Sequence, residues 1–281
     1  MSDPITRRRF LGSAALAGAS AASVLAETPA GKRTIIDSHV HLRHGNAAHT
    51  EYSPEVIVRT MDQAGIDRSV VFAMSTTTKH SIEMAEAAVK RFPGRLIPYV
   101  YALPSYERPA LLEMEAALSR GFRGIKIHAG ECTLAEYVVD PVLRLAAERG
   151  VPCLIDFCGK HGDAQRIAGA FPTARVIVAH MGKYLCTDGG LIDQFLALAE
   201  KHENMLLDLS GVVLLPKVEE AVRRIGSHRL VWGTDGPDQK PDTASFARRE
   251  LDKIERLNLS EADKTNILGR TISRLLKLQS A

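Results

Sequence analysis

One feature constrains this chain more than any other. A run of β-branched and apolar residues, 8 to 10 long, recurs eight times: RTIIDSHVHL (33–42), DRSVVFAM (67–74), RLIPYVYAL (95–103), GFRGIKIHA (121–129), VPCLIDFCG (151–159), ARVIVAHMG (174–182), NMLLDLSGV (204–212) and RLVWGTDGP (229–237). Runs that stay apolar rather than alternating with polar residues suit strands buried on both faces. Between them lie amphipathic segments with apolar residues at three- and four-residue spacing. Examples are SPEVIVRTMDQAG (53–65), SYERPALLEMEAALSRG (105–121), DPVLRLAAERG (140–150), GLIDQFLALAEKH (190–202), TASFARRELDKIERL (243–257) and SEADKTNILGRTISRLLKL (260–278). The first of these opens on a serine cap with proline behind it and stops at glycine. Alternating strands and helices imply parallel strands. Eight such units, one per roughly 25 to 30 residues, predict a closed α/β barrel, the (β/α)8 TIM barrel, as a single domain over 33–281. An open doubly wound sheet is the alternative. It usually carries a glycine-rich loop after its first strand, where this chain has DSHVHL.

In such a barrel the chemistry sits at the C-terminal ends of the strands. The runs end in chemically active side chains: His39 and His41, then Lys126 and His128, Asp156, His180, Asp208 with Ser210, and Asp235. Residues two apart in a strand share a face. That puts His39 and His41 side by side, with Asp37 expected behind them, and it pairs Lys126 with His128. A lone histidine or a charge at a strand end is ordinary polar lining. Convergence of these groups on one mouth points instead to a divalent metal, zinc first, one per chain. An ion held there would acidify water and polarise a substrate oxygen. Asp235 is then the candidate base, and His180 or His128 the donor to the polarised oxygen. Lys126 would bind a substrate carboxylate or support the site.

The HxH of the first run, with GIKIH, ARVIVAHMG, NMLLDLSG and LVWGTDGP, resembles the amidohydrolase superfamily over nearly the whole chain from Ile35 onward. The nearest branch is the amidohydrolase-related group of decarboxylase-like and lactonase-like enzymes. The resemblance implies metal ligation by His39, His41 and Asp235, with His180 a ligand or an acid/base. The fifth run departs from the pattern: LIDFCG carries Asp156 where the family has histidine, and this carboxylate is the expected stand-in ligand, giving a site of two His, two Asp and His180. The expected activity is hydrolysis of a C–N or C–O bond in a small polar substrate (an amide, lactone or carboxylate), with Lys126, His128 and Asp156 binding substrate. The alternatives are a non-oxidative decarboxylase or hydratase of the same branch, or a metal-free or silent barrel.

The first 26 residues stand apart. TRRRFLGSAALAGASAASVLA joins an arginine cluster to a mild Ala/Gly/Ser-rich run and then Val24-Leu25-Ala26, which suits a signal peptidase. Arg7-Arg8 with Phe10-Leu11 resembles the bacterial twin-arginine export signal. The expectation is a precursor handled by the twin-arginine machinery and a protein in the periplasm or outside the cell. Composition excludes other classes. Net charge is +3 and aromatics are 5%, with no basic stripe for nucleic acid, and no stretch reads as a stable membrane span. A homodimer is compatible with the resemblance. The four cysteines, 132, 153, 158 and 186, form no CxxC pair. Cys153 reads as core, and Cys158 and Cys186 as free thiols rather than a disulfide.

Overall fold

Each apolar run folds into a strand that gives way to a turn at its C-terminal end. The computed structural model describes residues 33–105 and 110–278, so the expected leader at 1–26 lies outside the described residues. The strands are β1 Ile36–Arg43, β2 Arg68–Ala73, β3 Leu96–Tyr101, β4 Gly124–His128, β5 Cys153–Asp156, β6 Val176–Val178, β7 Met205–Asp208 and β8 Leu230–Val231. They pair in sequence order, all in parallel. The turn after β8 returns to β1. Ser38 N–H donates to Trp232 O (3.0 Å), Asp235 N–H to His39 O (2.9 Å) and His41 N–H to Gly236 O (2.7 Å). The sheet is thus a TIM barrel, as the repeat predicts.

The helices are α1 Pro54–Ala64, α2 Thr78–Arg91, α3 Leu111–Ser119, α4 Glu136–Arg149, α5 His161–Ala170, α6 Gly189–Lys201, α7 Leu215–Ile225 and α8 Thr243–Glu255. Local chemistry sets their ends. The Ser53 side chain accepts from Val56 N–H at the start of α1, and Gly65, at φ 79°, closes it. The last amphipathic segment is broken rather than continuous: α9 Glu261–Thr265, a π turn over Asn266–Arg270, then α10 Thr271–Leu275.

Strand alternation builds two cores. Val71, Ile125, Ile155 and Val178 face the helices, whereas Val70, Phe72, Tyr99, Leu154, Ile177 and Leu206 fill the barrel. Each fully buried aliphatic contributes roughly 1.5–3 kcal/mol. Ile272, Leu275 and Leu276 join the inner set and close the bottom of the barrel. The inner positions of β4, β5 and β7 read Gly124-Lys126-His128, Leu154-Asp156 and Leu206-Asp208. One parity therefore runs from apolar core to polar mouth. Gly124 is needed for packing, since a Cβ there would stand 2.4 Å from the Tyr99 ring.

Asp37 does not share the face of His39 and His41. The β1–β2 register slips between Asp37 and Val40. The extra residue turns Asp37 outward, beside Val40, Ile57 and Met61 between barrel and helices. There its carboxylate accepts from His39 N–H (3.1 Å), Thr234 N–H (2.9 Å) and Thr234 Oγ1 (2.7 Å), clamping β1 to the turn that carries Asp235. All four cysteines are free thiols, and Cys153 is buried in the outer core. Among the described residues, no helix is long and apolar enough to cross a membrane.

Candidate active site

The polar strand ends meet at the mouth of the barrel. A cavity of about 510 Å³ opens there, bordered by His41, His44, Lys126, His128, Asp156, His180, Tyr184 and Asp235. Three of these strand ends leave the strand through a residue in the left-handed region: Cys158 (φ 51°), His180 (58°) and Asp235 (59°). Each such turn costs about 1–2 kcal/mol in a non-glycine residue and aims a side chain that a regular strand would point elsewhere.

At the centre stands one carboxylate oxygen. Asp235 Oδ1 lies 3.0 Å from His39 Nε2 and 2.9 Å from His41 Nε2. His180 Nε2 is farther, at 3.9 Å. The ligand atoms of His39, His41 and Asp235 all lie within 4.8 Å of one another, and His180 is not part of that triad. Gly233 lets the turn after β8 come this close to β1: a Cβ there would meet that of His39 at 2.7 Å.

Hydrogen bonds fix which nitrogens are free. His39 Nδ1 faces Asp208 Oδ2 at 3.2 Å and so carries the ring proton. Its Nε2 accepts from the Lys126 ammonium at 3.1 Å. The Lys126 ammonium and Asp235 Oδ1, at 3.0 Å, thus both face Nε2. His180 Nδ1 donates to the Ser210 carbonyl at 2.9 Å, which leaves Nε2 facing Asp156 Oδ2 (3.5 Å) and Asp235. These are the arrangements of ligating imidazoles, whose second nitrogen donates to a carboxylate or carbonyl.

His128 has the opposite arrangement. Its Nδ1 accepts from Gly130 N–H at 3.0 Å, so Nε2 holds the proton and donates to Asp156 Oδ2 at 3.2 Å. His128, Asp156 and Cys158 lie close enough together to hold an ion, but to ligate, His128 Nε2 would have to give up its proton and its bond to Asp156. Asp156 is occupied as well, since Oδ1 accepts from Cys158 N–H at 2.8 Å. It stands beside His128 and His180 rather than within the His39–His41–Asp235 triad, so it does not take the place of the missing strand-5 histidine there.

The titration behaviour follows from burial and crowding. Burial pushes Asp235 up, but His39, His180 and His41 outweigh it and hold the carboxyl well below its usual range. Burial opposes charge at His180 too, yet Asp235, Asp156 and Asp208 raise it to about 9. His41 is lowered well below the ordinary histidine range, by burial and then by His44. Burial lowers Lys126 against the pull of the same three aspartates.

Asp208 and Ser210, which composition marked only as polar strand ends, organise both imidazoles. Asp208 Oδ2 accepts from His39 Nδ1–H, from His180 N–H (3.1 Å) and from the Ser210 hydroxyl. Ser210 Oγ lies 3.1 Å from His39 Nδ1 and 3.0 Å from His180 Nδ1. His44 stacks on His41 with ring centroids 4.3 Å apart and donates through Nε2 to the Pro237 carbonyl (2.8 Å). Nothing in the local sequence pattern marked His44, which lies in the loop after β1.

The family model described as Amidohydrolase matches residues 36–278. The chain belongs to the amidohydrolase family. A search of curated proteins found no match. Solved structures share the fold at low identity. An amidohydrolase from Burkholderia multivorans with bound zinc superposes with a TM-score of 0.68 at 18% identity, covering 88% of this chain and 100% of its own. A probable 2-pyrone-4,6-dicarboxylic acid hydrolase from Acinetobacter baumannii, with citric acid bound, gives 0.67 at 15% identity over 87% and 100%. The 5-carboxyvanillate decarboxylase of Sphingomonas paucimobilis gives 0.66 at 13% identity over 88% and 100%. This family member thus shares its architecture with enzymes of more than one reaction type.

Proposed function

We propose that this amidohydrolase is a metal-dependent hydrolase of C–N or C–O bonds in a small polar substrate. One observation carries the reading: two imidazole nitrogens and one carboxylate oxygen converge at 2.9–3.0 Å on the floor of an open cavity. His39, His41 and Asp235 would hold one divalent ion, zinc first, with His180 beside them as a further ligand or as an acid. Such an ion supplies Lewis acidity, which acidifies water and polarises a carbonyl oxygen. Asp235, held as carboxylate, takes the proton of the attacking water and returns it to the leaving nitrogen or oxygen. His180, whose Nδ1 is tied to the Ser210 carbonyl, would present Nε2 as the donor to the oxygen on which charge builds. Lys126, His128 and Asp156, at the wall of the cavity, bind substrate.

The test is the metal content of the purified protein by elemental mass spectrometry, with no metal added. About one zinc per chain is expected. A folded protein that contains none and takes none up would sink the reading. Asp235→Asn should remove nearly all turnover on an amide and lactone panel, and full activity would refute its role as base. A second reading, a non-oxidative decarboxylase or hydratase, is favoured by the likeness to the decarboxylase fold and is distinguished by CO2 release. We also propose export by the twin-arginine route, from the order of arginine pair, apolar run and cleavage-like site in 1–26. Fractionation that left the protein in the cytoplasm at full length would refute it.

A further inference from the structure

The His39 Nε2 lone pair has two claimants. Lys126 Nζ lies 3.1 Å from it, and an ammonium can only donate. Nδ1 of the same ring is committed to Asp208. Nε2 has one lone pair, so it serves the ammonium or a metal ion, never both. Lys126 is the more notable because it is 1% exposed and borders the cavity. An ammonium has three N–H donors, and only one is spent on His39. Phe72 lies beneath it, with Nζ 5.3 Å from the ring centre, and keeps the charge in place.

We propose that Lys126 is an internal competitor for the metal, whose ammonium holds the His39 lone pair until a divalent ion takes it and is then freed to bind an anionic group of the substrate. The inference rests on the metal-centre reading above. It makes metal and anion binding mutually reinforcing, because each removes a competitor of the other. By linkage, the anion must tighten the metal by the same factor as the metal tightens the anion.

The experiment is a zinc titration of chelator-stripped protein against a competing chromophoric chelator, for wild type and Lys126→Met. Removing an active-site cation should tighten zinc about tenfold or more, in the range usual for coupled sites. An unchanged or weaker affinity overturns the competition. The titration is then repeated in saturating acetate. Wild type should gain zinc affinity and Lys126→Met should gain little. An equal gain in both would mean that acetate meets the ion without Lys126, and the anion half of the proposal falls. If Lys126→Met does not fold by circular dichroism, Lys126→Gln, neutral and still polar, carries the same comparison. A wild type that binds no zinc refutes the metal-centre reading itself. A wild type that binds zinc no more weakly than the variant refutes only this inference.

Discussion

Asp208→Asn is the sharpest test of how the barrel orients its imidazoles. Asp208 is wholly buried and never touches the cavity, so any effect must pass through its partners. Its Oδ2 serves His39 Nδ1, His180 N–H and Ser210, whereas Oδ1 has no hydrogen-bond partner. Asparagine has the same shape and can place its carbonyl oxygen where Oδ2 stands, with the amide replacing the unpartnered atom. The three contacts survive, the charge is lost, and the amide N–H groups stand where Oδ1 has no partner. A charge-assisted bond is worth roughly 1.5–3 kcal/mol against about 1 for a neutral one. The fold should therefore lose about 1–2 kcal/mol, partly offset because no charge is buried any longer. On the proposed metal centre the larger effect falls on the ion, because His39 loses the carboxylate that holds its Nδ1–H, and losing such a partner typically lowers metal affinity about 10–100-fold. Chelator-competition titration measures the affinity, and urea denaturation measures the stability. If zinc affinity stays within about twofold of wild type while the protein folds normally, Asp208 does not tune His39 and the proton assignment on that ring is wrong.

Three further outcomes are expected. Gly124→Ala would drive a methyl into the Tyr99 ring, and overpacking of about 1–3 kcal/mol should lower Tm by several degrees in calorimetry; an unchanged Tm would show that the inner core yields freely. Burial raises Asp37 to about 7 despite its bonds to Thr234 and His39, so the neutral acid favours folding below the ordinary carboxyl value and that contribution fades as pH rises through 7. Asp37→Asn, which mimics the neutral form, should gain on wild type in Tm between about pH 4 and 8, and a constant difference would refute this. For His180, raised to about 9, the contribution is complete below 6.5 and is lost as pH rises through 9. Chelator-stripped protein should lose up to about 3 kcal/mol across that window, His180→Gln should flatten the loss, and a flat wild-type profile would refute the imidazolium.

The barrel was legible because its signal is periodic. Eight apolar runs at even spacing leave few topologies, and Ser53 with Gly65 mark the ends of α1 as local chemistry requires. The inner parity of β4 placed Lys126 and His128 together correctly. The same rule failed for Asp37, because one extra residue in β1 shifts every side chain before it to the other face, and no residue type announces such a bulge. The six amphipathic segments predict no helix at α2, α5 or α7 and a single one over 260–278. In its π turn Gly269 packs so close to the chain just before β1 that a Cβ would stand 2.1 Å from the Thr34 carbonyl oxygen.

The sequence by itself determined the alternation of strand and helix, the parallel barrel and the inventory of histidines, lysine and aspartates at its mouth, since these depend on local period and residue type. The tertiary structure alone decided the contacts. That Asp235 meets His39 and His41, that Asp208 holds the rings of two strands, that Gly130 denies His128 a free nitrogen and that Lys126 takes the lone pair of His39 are all contacts between segments distant in sequence or set by a turn's geometry. A side chain's identity says which protons it can hold. Only its neighbours at about 3 Å decide which nitrogen holds one.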